Sequence, residues 1–374
     1  MSREDAVAVV QRLVRVARQR DVSQLAECYA ADAVAISPVF GEVRGRERIA
    51  ATWQTLFDTF ADADVDVSDV LVDGNRVAIL SRITTTDRSG WFGLPATGGP
   101  LSYPLVLLLT IADGRIVRDE RVYDSAGVVE RLEKMRLDKE LQTAAEVQRA
   151  LLPRTAYVGR FCESVGDSVP CRAIGGDFFE FVELRSGDVG IVMGDVSGKG
   201  PAAALLASML QGMFAVEARA GHGPARTLLR INELMTARHV EWRFATLVYA
   251  VLSASGTLVY ANAGHNPPVL LARDGIHRLT TGGPILGMFP NVTFEEQMLP
   301  FRGGDTLVMF TDGVTEARSA RNEEFGEDRL MASLTEDASA APIVVLNRLF
   351  AAVREFCQHT EPSDDITVTV TRFQ

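Results

Sequence analysis

Gly194-Asp-Val-Ser-Gly-Lys-Gly-Pro-Ala-Ala-Ala204 is the stretch that decides how the second half of this chain folds. An apolar run at residues 189–193 precedes it, and a run rich in alanine and leucine follows at residues 202–216. This order predicts a strand, a tight glycine turn and a helix, with Pro201 near the first helical position, where a missing N–H costs nothing. Asp195 then lies at the end of a strand, which holds a carboxylate rigidly.

Three further aspartates occur in similar surroundings, each in a turn beside an apolar run. They belong to the sequences Gly175-Gly-Asp177, Thr311-Asp-Gly313 and Asp364-Asp-Ile-Thr367. Mg²⁺ and Mn²⁺ prefer oxygen ligands, so a site made of aspartates without a histidine or cysteine cluster suits these ions. The four turns together predict one metal centre, with a ligand set of Asp177, Asp195, Asp312 and Asp364.

Composition is that of an ordinary soluble globular protein. The chain has 374 residues, enough for two or three domains, with 47% hydrophobic and 23% charged residues. A net charge of −11 argues against a broad nucleic-acid or anionic-membrane footprint. The first residues lack the apolar core of a signal peptide, and no apolar run reaches membrane-spanning length. The cysteines form no CxxC pair, so neither a zinc ribbon nor a redox motif is indicated. Taken together, these features lead us to expect a reduced, cytoplasmic protein that binds neither nucleic acid nor membrane.

The first third of the chain changes from a helical period to a strand period. Helices are predicted at residues 4–20, 23–31 and 46–60. Strands are predicted at residues 65–72, 76–86, 103–111 and 116–123, with turns at residues 73–75 and 113–114. Helices followed by a curved antiparallel sheet are an α+β pattern.

The same region resembles the SnoaL-like family. The resemblance rests on Gly41-Glu-Val-Arg-Gly45, Trp53, Pro95-Ala-Thr-Gly98, Asp113-Gly-Arg-Ile116 and Asp124-Ser-Ala-Gly127. It covers residues 1–127 and implies an α+β cone around a pocket. Some members of this family are enzymes, whereas many only bind a ligand or dimerise.

Four aromatic side chains of this domain allow two interpretations: Trp53, Trp91, Phe92 and Tyr103. They either line a pocket for a small-molecule ligand or make plain core and dimer contacts, and the second interpretation is favoured. No acid–base pair stands out in residues 1–127, so we predict a sensor or dimerisation domain rather than an enzyme. The hypothesis of an isomerase or cyclase fused to the rest of the chain would need such a pair.

Residues 125–153 are rich in strong helix formers and end at Pro153, which predicts one long helix. Its apolar stripe changes phase after Met135. A phase shift is typical of a local change in coiling, so a movable joint and a plain amphipathic helix both remain open. We interpret residues 128–154 as a helical linker and expect a homodimer.

The remainder of the chain resembles the SpoIIE-type branch of the PPM family of metal-dependent serine/threonine phosphatases. The motifs that carry the resemblance are Ala145-Glu-Val-Gln-Arg-Ala-Leu-Leu-Pro153, Ile174-Gly-Gly-Asp-Phe-Phe179, the turn at residues 194–204, Tyr260-Ala-Asn-Ala-Gly-His-Asn-Pro-Pro268, Gly283-Pro-Ile-Leu-Gly287, Phe310-Thr-Asp-Gly-Val-Thr-Glu316 and Asp364-Asp-Ile-Thr367. They occur in the family's order. The resemblance implies that residues 155–374 form a β-sandwich with helices on both faces.

By this resemblance, Asp195 bridges two metal ions, Mn²⁺ or Mg²⁺, and the carbonyl of Val196 contacts one of them. The other implied ligands are Asp177, Asp312 and Asp364. Asp365, next to a ligand in sequence, is expected to support the ligands without binding a metal ion itself. The implied reaction is hydrolysis of phosphoserine or phosphothreonine by two-metal activation of water, without a covalent enzyme intermediate. The implied partner is a phosphorylated regulatory protein of the anti-anti-sigma (STAS) type, with control by the N-terminal domain.

Other features of this half have competing interpretations. Gly175-Gly-Asp-Phe-Phe179 lacks the glutamate of the GGDEF signature of diguanylate cyclases, and the turn around Lys199 lacks the Ser or Thr of a P-loop. His265 is interpreted as a structural histidine rather than a general acid. Arg172 is a candidate for contacting substrate phosphate. The alternative from another functional class is a non-catalytic scaffold that binds the phosphoprotein while the SnoaL-like domain senses a small molecule.

Overall fold

The computed structural model describes residues 2–153, 156–237, 243–337, 339–358, 360 and 362–374. The chain divides into two compact units, Met1–Glu140 and Leu141–Gln374. The boundary between them lies inside the helix Ser125–Leu151, which is the long helix predicted over residues 125–153.

The first unit combines helices with one sheet. The helices are α1 (Arg3–Gln19), α2 (Val22–Ala26) and α3 (Arg46–Thr59), and α4 (Ser125–Leu151) follows the sheet. The strands are β1 (Tyr29–Ser37), β2 (Gly41–Arg44), β3 (Asp64–Asp73), β4 (Arg76–Thr86), β5 (Pro100–Ala112) and β6 (Arg115–Val122). They lie in the order β2-β1-β6-β5-β4-β3, so the unit has the predicted α+β class.

The apolar face of α1 forms part of the core of this unit. Ser2 and Asp5 make a capping box that satisfies backbone N–H groups at the start of the helix. The buried residues of α1 are Ala6, Val10, Leu13 and Val16. They share one core with Val77 and Ile79 of β4, which explains their helical spacing in the sequence.

Two predictions for this unit are wrong. The helix predicted over residues 23–31 ends at Ala26, and Tyr29 already begins β1. The sheet is mixed rather than antiparallel, because β1 pairs with β6 in parallel. Alanine-rich sequence favours a helix locally, but here pairing with β2 and β6 buries Ala33 and Ala35 and overrides that preference.

Each end of α4 takes part in a packed core. Val128 and Leu132 are buried in the first unit, in a cluster that includes Trp91 and Tyr103. Ala145 is buried in the second unit. The helix therefore contributes apolar residues on both sides of the division at residue 140.

Among the described residues, the second unit contains two six-stranded sheets. Its strands are β7 (Tyr157–Val158), β8 (Cys162–Val169), β9 (Phe178–Glu183), β10 (Val189–Val196), β11 (Ala245–Ser253), β12 (Thr257–Ala263), β13 (Val269–Ala272), β14 (Gly275–Arg278), β15 (Gly282–Gly283), β16 (Gln297–Pro300), β17 (Thr306–Phe310) and β18 (Ile366–Phe373). One sheet has the order β15-β12-β11-β10-β9 with β16 beside β12, and the other has the order β14-β13-β17-β18-β8-β7. The helices of the unit are α5 (Pro201–Arg219), α6 (Pro224–Ala237), α7 (Asp312–Thr315), α8 (Gly326–Thr335) and α9 (Pro342–Cys357).

The two sheets face each other, and helices cover their outer faces. Ile191 and Met193 of β10 share a core with Leu307 and Met309 of β17. α5 and α6 pack on the first sheet, and α8 and α9 pack on the second. The predicted β-sandwich with helices on both faces is therefore confirmed. Because both faces of β10 are covered, almost every residue in it is buried, which explains its unbroken apolar run.

Helix α5 is long and apolar enough, by length and composition alone, to cross a bilayer, with a mean hydropathy of 1.3. In the part of the chain described, it is the one helix with this property. Leu206, Leu210 and Phe214 lie in the core against the first sheet. Packing in that core accounts for the apolar composition of the helix.

Candidate functional site

The four predicted aspartates, here called the aspartate cluster, lie where strands of the two sheets begin or end. Asp195 is near the end of β10, and Asp177 directly precedes β9, which pairs with β10 in antiparallel fashion. On the other sheet, Asp312 begins α7 just after β17, and Asp364 lies just before β18. Antiparallel pairing brings the end of one strand beside the start of its neighbour, so each sheet contributes two carboxylates at one edge.

Asp177 is buried and held by two hydroxyl groups from the second sheet. Thr311 Oγ1 donates to Asp177 Oδ2 at 2.7 Å, and Thr367 Oγ1 donates to the same oxygen at 2.6 Å. Burial, together with the charge of Asp195, raises the pKa of Asp177 well above its usual range. The two hydroxyls oppose that rise and fix the orientation of the carboxyl group, because both act on a single oxygen.

The pKa of Asp195 is raised to near neutral pH. Burial raises the pKa of Asp195 to about 7, and the charges of Asp312 and Asp364 act in the same direction. Burial and the charge of Asp364 also raise the pKa of Asp312. Partly or fully buried carboxylates that repel one another take up either protons or cations, so the aspartate cluster has the electrostatic character of a cation site.

Asp364 differs from the other three aspartates because it has a cationic partner. Lys199 Nζ lies 2.8 Å from Asp364 Oδ2 and also donates to the carbonyl of Ser363. Lys199 stands between Gly198 and Gly200, which both have positive φ, a conformation that glycine adopts without strain. The glycine turn predicted from sequence thus carries a positive charge to the edge of the aspartate cluster.

Asp365 uses both carboxylate oxygens to hold backbone. Its Oδ1 accepts a hydrogen bond from the N–H of Cys171 at 2.8 Å, and its Oδ2 accepts one from the N–H of Gly176 at 2.6 Å. These bonds tie the loop that leads into Asp177 to the segment before β18. The side chain therefore positions a neighbouring loop, in agreement with the role expected for it behind the ligands.

Two glycines allow these loops to approach closely. A Cβ at Gly313 would overlap the carbonyl oxygen of Asp365, and a Cβ at Gly176 would lie 2.9 Å from the carbonyl oxygen of Val196. Any other residue at either position would push the loops apart. The backbone carbonyl of Val196, a predicted ligand, therefore lies against the loop that carries Asp177.

A second set of potential metal ligands consists of one cysteine and two aspartates. Among the described residues, Cys171, Asp364 and Asp365 form the one set of three potential ligands whose atoms all lie within 4.8 Å of one another. Burial, with the charge of Asp365, raises the pKa of the Cys171 thiol to about 11, so the thiol stays protonated at neutral pH and is a poor ligand. Both oxygens of Asp365 are already bonded to N–H groups. This set does not fit a metal ion.

The aspartate cluster fits divalent metal ions better. All of its donor atoms are oxygens, which Mg²⁺ and Mn²⁺ prefer. Two ions about 3.5–4 Å apart need ligands spread over more space than a single ion does. Burial, with mutual repulsion after it, raises the pKa values of Asp195 and Asp312, and bound cations relieve that repulsion.

Basic side chains surround the turn between β10 and α5. Arg243 Nη1 donates to the carbonyl of Ser197 at 3.2 Å. Arg172 Nη1 lies 3.9 Å from the position that a Cβ at Gly200 would take. Sequence reasoning identified Arg172 but missed Arg243, which belongs to no motif and lies 46 residues from its partner. Together with Lys199, these arginines supply positive charge next to the aspartate cluster.

His265 is buried away from solvent. It shares a 2.7 Å hydrogen bond between its Nδ1 and Thr246 Oγ1, and its backbone N–H donates to Asn262 Oδ1 at 2.7 Å. Burial lowers the pKa of His265 to about 4. A neutral, fixed imidazole agrees with the structural interpretation of this residue and not with a general acid at neutral pH.

The first unit contains a cavity of about 390 Å³. Of the four aromatic residues singled out from sequence, Trp53 and Tyr103 line this cavity. Trp91 is buried instead, with its ring centroid 4.7 Å from that of Phe60. Most of the lining is aliphatic or aromatic, and Arg121 adds a guanidinium group to the wall.

A buried polar network that sequence reasoning missed lies beside this cavity. Tyr29 Oη donates to Asp119 Oδ2 at 2.9 Å, and Arg121 Nε and Nη2 donate to the same oxygen at 3.2 and 3.1 Å. Trp53 Nε1 donates to Tyr29 Oη at 3.1 Å. Burial and the charge of Asp119 raise the pKa of Tyr29 well above its usual range. The network joins β1, α3 and β6, and its partners are too far apart in sequence to form a visible motif.

The SpoIIE family, described as Stage II sporulation protein E, matches residues 185–374, just over half of the chain. The chain belongs to the SpoIIE family. The matched residues include Asp195, Asp312 and Asp364 of the aspartate cluster. A SnoaL-like domain matches residues 10–119. Both resemblances inferred from sequence are therefore confirmed.

This SpoIIE-family chain is similar to two curated bacterial proteins. It is 32% identical to protein IcfG of Synechocystis sp. over 261 residues, which are 61% of this chain and 40% of IcfG. It is 28% identical to the phosphoserine phosphatase RsbU of Bacillus subtilis over 241 residues, which are 63% of this chain and 70% of RsbU. The chain thus spans two fifths of IcfG and a larger share of RsbU.

The second unit also has a counterpart among solved structures. The SiaA-PP2C domain of Pseudomonas aeruginosa aligns with a TM-score of 0.57 and 19% identity, and the alignment covers 65% of this chain and 99% of that domain. At this level of identity the similarity establishes the fold alone. It agrees with the helix-covered sandwich described above.

Proposed function

We propose that this chain is a cytoplasmic, metal-dependent protein serine/threonine phosphatase. In this proposal it hydrolyses phosphoserine or phosphothreonine on a partner regulatory protein of the anti-anti-sigma (STAS) type. The observation that carries the proposal is the convergence of four aspartates from two sheets, with Asp195 partly buried and its pKa raised to about 7 by burial and by the charges of Asp312 and Asp364. The similarity to RsbU, a phosphoserine phosphatase, supports the substrate class.

The cofactor in this proposal is a pair of divalent ions, Mn²⁺ or Mg²⁺. The aspartate cluster and the carbonyl of Val196 would hold them. When bound, such ions supply Lewis acidity towards water and towards the phosphoryl oxygens. The chain's own residues orient the carboxylates, since Thr311 and Thr367 fix Asp177.

In this proposal the basic side chains around the β10–α5 turn bind the substrate phosphate. A phosphate monoester carries up to two negative charges, which the carboxylates alone would repel. Lys199 and the guanidinium groups of Arg172 and Arg243 lie on or beside that turn and offset this repulsion. We assign them to binding and orienting the phosphate group.

The domain arrangement in this proposal is a SnoaL-like sensor at residues 1–127, a helical linker at 128–154 and a catalytic domain at 155–374. The cavity beside Arg121 supports a small-molecule ligand with an apolar body and a hydrogen-bond acceptor. Exposed apolar residues support the proposed homodimer: Leu71 and Leu108 lie in one cross-strand row of the first sheet and are 55% and 41% exposed.

The experiment that tests the catalytic proposal is hydrolysis of an aryl phosphate and of a phosphoserine peptide by the full chain. Each is measured with Mn²⁺ or Mg²⁺, with and without EDTA, for the wild type and Asp195→Asn. We expect turnover that needs metal and falls by at least about 100-fold in Asp195→Asn, because the charge that holds the ions is lost. Asp328→Asn, an exposed aspartate of α8, is the matched control and should retain turnover.

The same assay, together with calorimetry of Mn²⁺ binding, distinguishes the phosphatase from the alternative. A wild-type chain that binds no Mn²⁺ in calorimetry and hydrolyses neither substrate would support the non-catalytic scaffold. An isomerase or cyclase in the first unit has less support, because the buried Asp119 carboxylate is paired with Arg121 and accepts from Tyr29 through Oδ2, and among the described residues its Oδ1 has no hydrogen-bond partner to act with.

A further inference from the structure

Gln148 of α4 is bonded to the loop that carries Asp177. Its Nε2 donates to the carbonyl of Gly175 at 2.7 Å, and the N–H of Gly175 donates to its Oε1 at 3.1 Å. One side-chain amide thus satisfies both backbone polar groups of a residue that precedes Asp177 by two positions. The partners are 27 positions apart in sequence, so this is a tertiary contact rather than a local turn.

The helix around this amide is seated on the second unit. Ala145 is buried in a small apolar cluster with Ile174, just before the loop, and with Ala204 at the start of α5. Gln211 Nε2 donates to the carbonyl of Leu151 at 2.8 Å and so holds the last turn of α4. Residues 141–151 therefore pack beside the loop that leads into the aspartate cluster.

Asp365 also holds this loop. Asp365 Oδ2 accepts from the N–H of Gly176, and a Cβ at Gly175 would lie 2.5 Å from the same oxygen. Two consecutive residues of the loop are thus held by two different side chains, Gly175 by the Gln148 amide and Gly176 by the Asp365 carboxylate. Loss of the amide leaves the Asp365 bonds in place, so the expected result is a looser loop and not an unfolded domain.

We propose that Gln148 is a positioning residue for the metal centre. Its two bonds to Gly175 hold the loop in the place where Asp177 faces the other members of the aspartate cluster. A displacement of residues 141–151 from the loop breaks both bonds together, so occupancy of the metal centre depends on how α4 is seated. This inference rests on the proposed function, because it assigns Asp177 to a metal ion.

The test compares Gln148→Met with the matched control Gln142→Met on an exposed position of the same helix. Methionine and glutamine have similar helix propensities and lengths, so the change removes the two hydrogen bonds without weakening the helix. We expect the Mn²⁺ dissociation constant of the full chain to rise about tenfold in Gln148→Met, as the loss of two neutral hydrogen bonds predicts, and to stay unchanged in the control. Titration calorimetry measures both.

A second measurement follows the loop without metal. Amide hydrogen exchange at residues 175–177 of the metal-free chain should be faster in Gln148→Met than in the wild type, and unchanged in Gln142→Met. Gln148→Glu keeps an acceptor for the Gly175 N–H but loses the donor. It should therefore retain protection of that one amide, and because it adds a negative charge near the aspartate cluster, its readout is amide exchange rather than Mn²⁺ affinity. If circular dichroism shows that Gln148→Met does not fold, Gln148→Glu carries the test.

Two results would overturn the proposal: unchanged Mn²⁺ affinity with unchanged exchange at residues 175–177, or faster exchange spread over the whole second unit. The second result would give Gln148 a general structural role only. If the wild type binds no Mn²⁺, the proposed function fails. The exchange comparison on the metal-free chain then still decides whether Gln148 holds the loop.

Discussion

Lys199 Nζ and Asp364 Oδ2 lie 2.8 Å apart, which puts a positive charge against one member of the aspartate cluster. The two side chains are 34% and 36% exposed, so solvent screens the pair and its contribution to folding is small. The pair should instead weaken cation binding at Asp364, because a metal ion that approaches this carboxylate must compete with the ammonium group of Lys199. The pair also joins the turn after β10 to the segment before β18, which belong to different sheets.

Lys199→Met should bind Mn²⁺ about two- to fivefold more tightly than the wild type, because one partly screened competing charge is removed. The same change should raise KM for an aryl phosphate, since a cation that faces the phosphate is lost. Titration calorimetry and steady-state kinetics measure the two effects, with Lys134→Met on the exposed face of α4 as control. Equal or weaker Mn²⁺ binding in Lys199→Met would contradict the competition.

The contribution of Asp195 to the stability of the metal-free chain, taken as the difference between the wild type and Asp195→Asn, should fall as pH rises from about 4 to about 7. The pKa of Asp195 is raised from 3.8 to about 7 in the folded state, so within this window the folded state holds a proton that the unfolded state has lost. Fewer protons on the unfolded state mean that stability decreases with pH and levels off above the folded pKa. Urea unfolding in EDTA measures this slope. Asp195→Asn should lose this contribution while the other titrating groups keep theirs, and an equal slope in the two proteins would refute the assignment.

Mn²⁺ affinity should change with pH in the opposite sense. Because a metal ion must displace the proton on Asp195, its affinity should rise about tenfold per pH unit below pH 7 for each proton released. Calorimetry at pH 6 in buffers of different ionisation enthalpy counts the protons. Binding that releases no proton at pH 6 would mean that Asp195 is not a ligand.

Thr367→Val should weaken Mn²⁺ binding by about tenfold or more, because a hydrogen bond to a carboxylate that orients Asp177 is lost while the side-chain volume is kept. The matched control is Thr371→Val on the same strand, whose hydroxyl donates to Ser164 at 2.9 Å, away from the aspartate cluster. That variant should bind Mn²⁺ as the wild type does. The metal dependence of turnover and direct calorimetry both report the difference, and equal losses in the two variants would count against a specific role for Thr367.

Gly313→Ala should lower the free energy of unfolding by about 1–3 kcal/mol, because its Cβ overlaps the carbonyl oxygen of Asp365 and the loops must separate. Gly212→Ala is the contrasting change. Gly212 lies in α5 with open space around a Cβ, and alanine there should stabilise the chain by about 0.5–1 kcal/mol. Denaturant unfolding of both variants measures the opposite signs, and a neutral Gly313→Ala would mean that the loops move at little cost.

Local sequence pattern determines the strand, turn and helix around Asp195 and predicts the long helix over residues 125–153. These elements depend on neighbouring residues, since apolar period, glycine turns and helix formers act over a few positions. The same pattern fails after Ala26. Tyr29 begins a strand because it pairs with β6 and bonds to Asp119, which lies 90 residues further along the chain.

The sequence by itself thus determined the fold classes, the family resemblances and the four aspartate turns. Only the tertiary structure decided which side chains stand beside them: Lys199 at Asp364, Gln148 at Gly175, and Asp365 at the N–H of Gly176, a residue 189 positions away. The raised pKa of Asp195 likewise comes from burial and from charges on the opposite sheet. Distances between charges and exclusion of water exist only after the sheets have packed, so no local pattern can encode them.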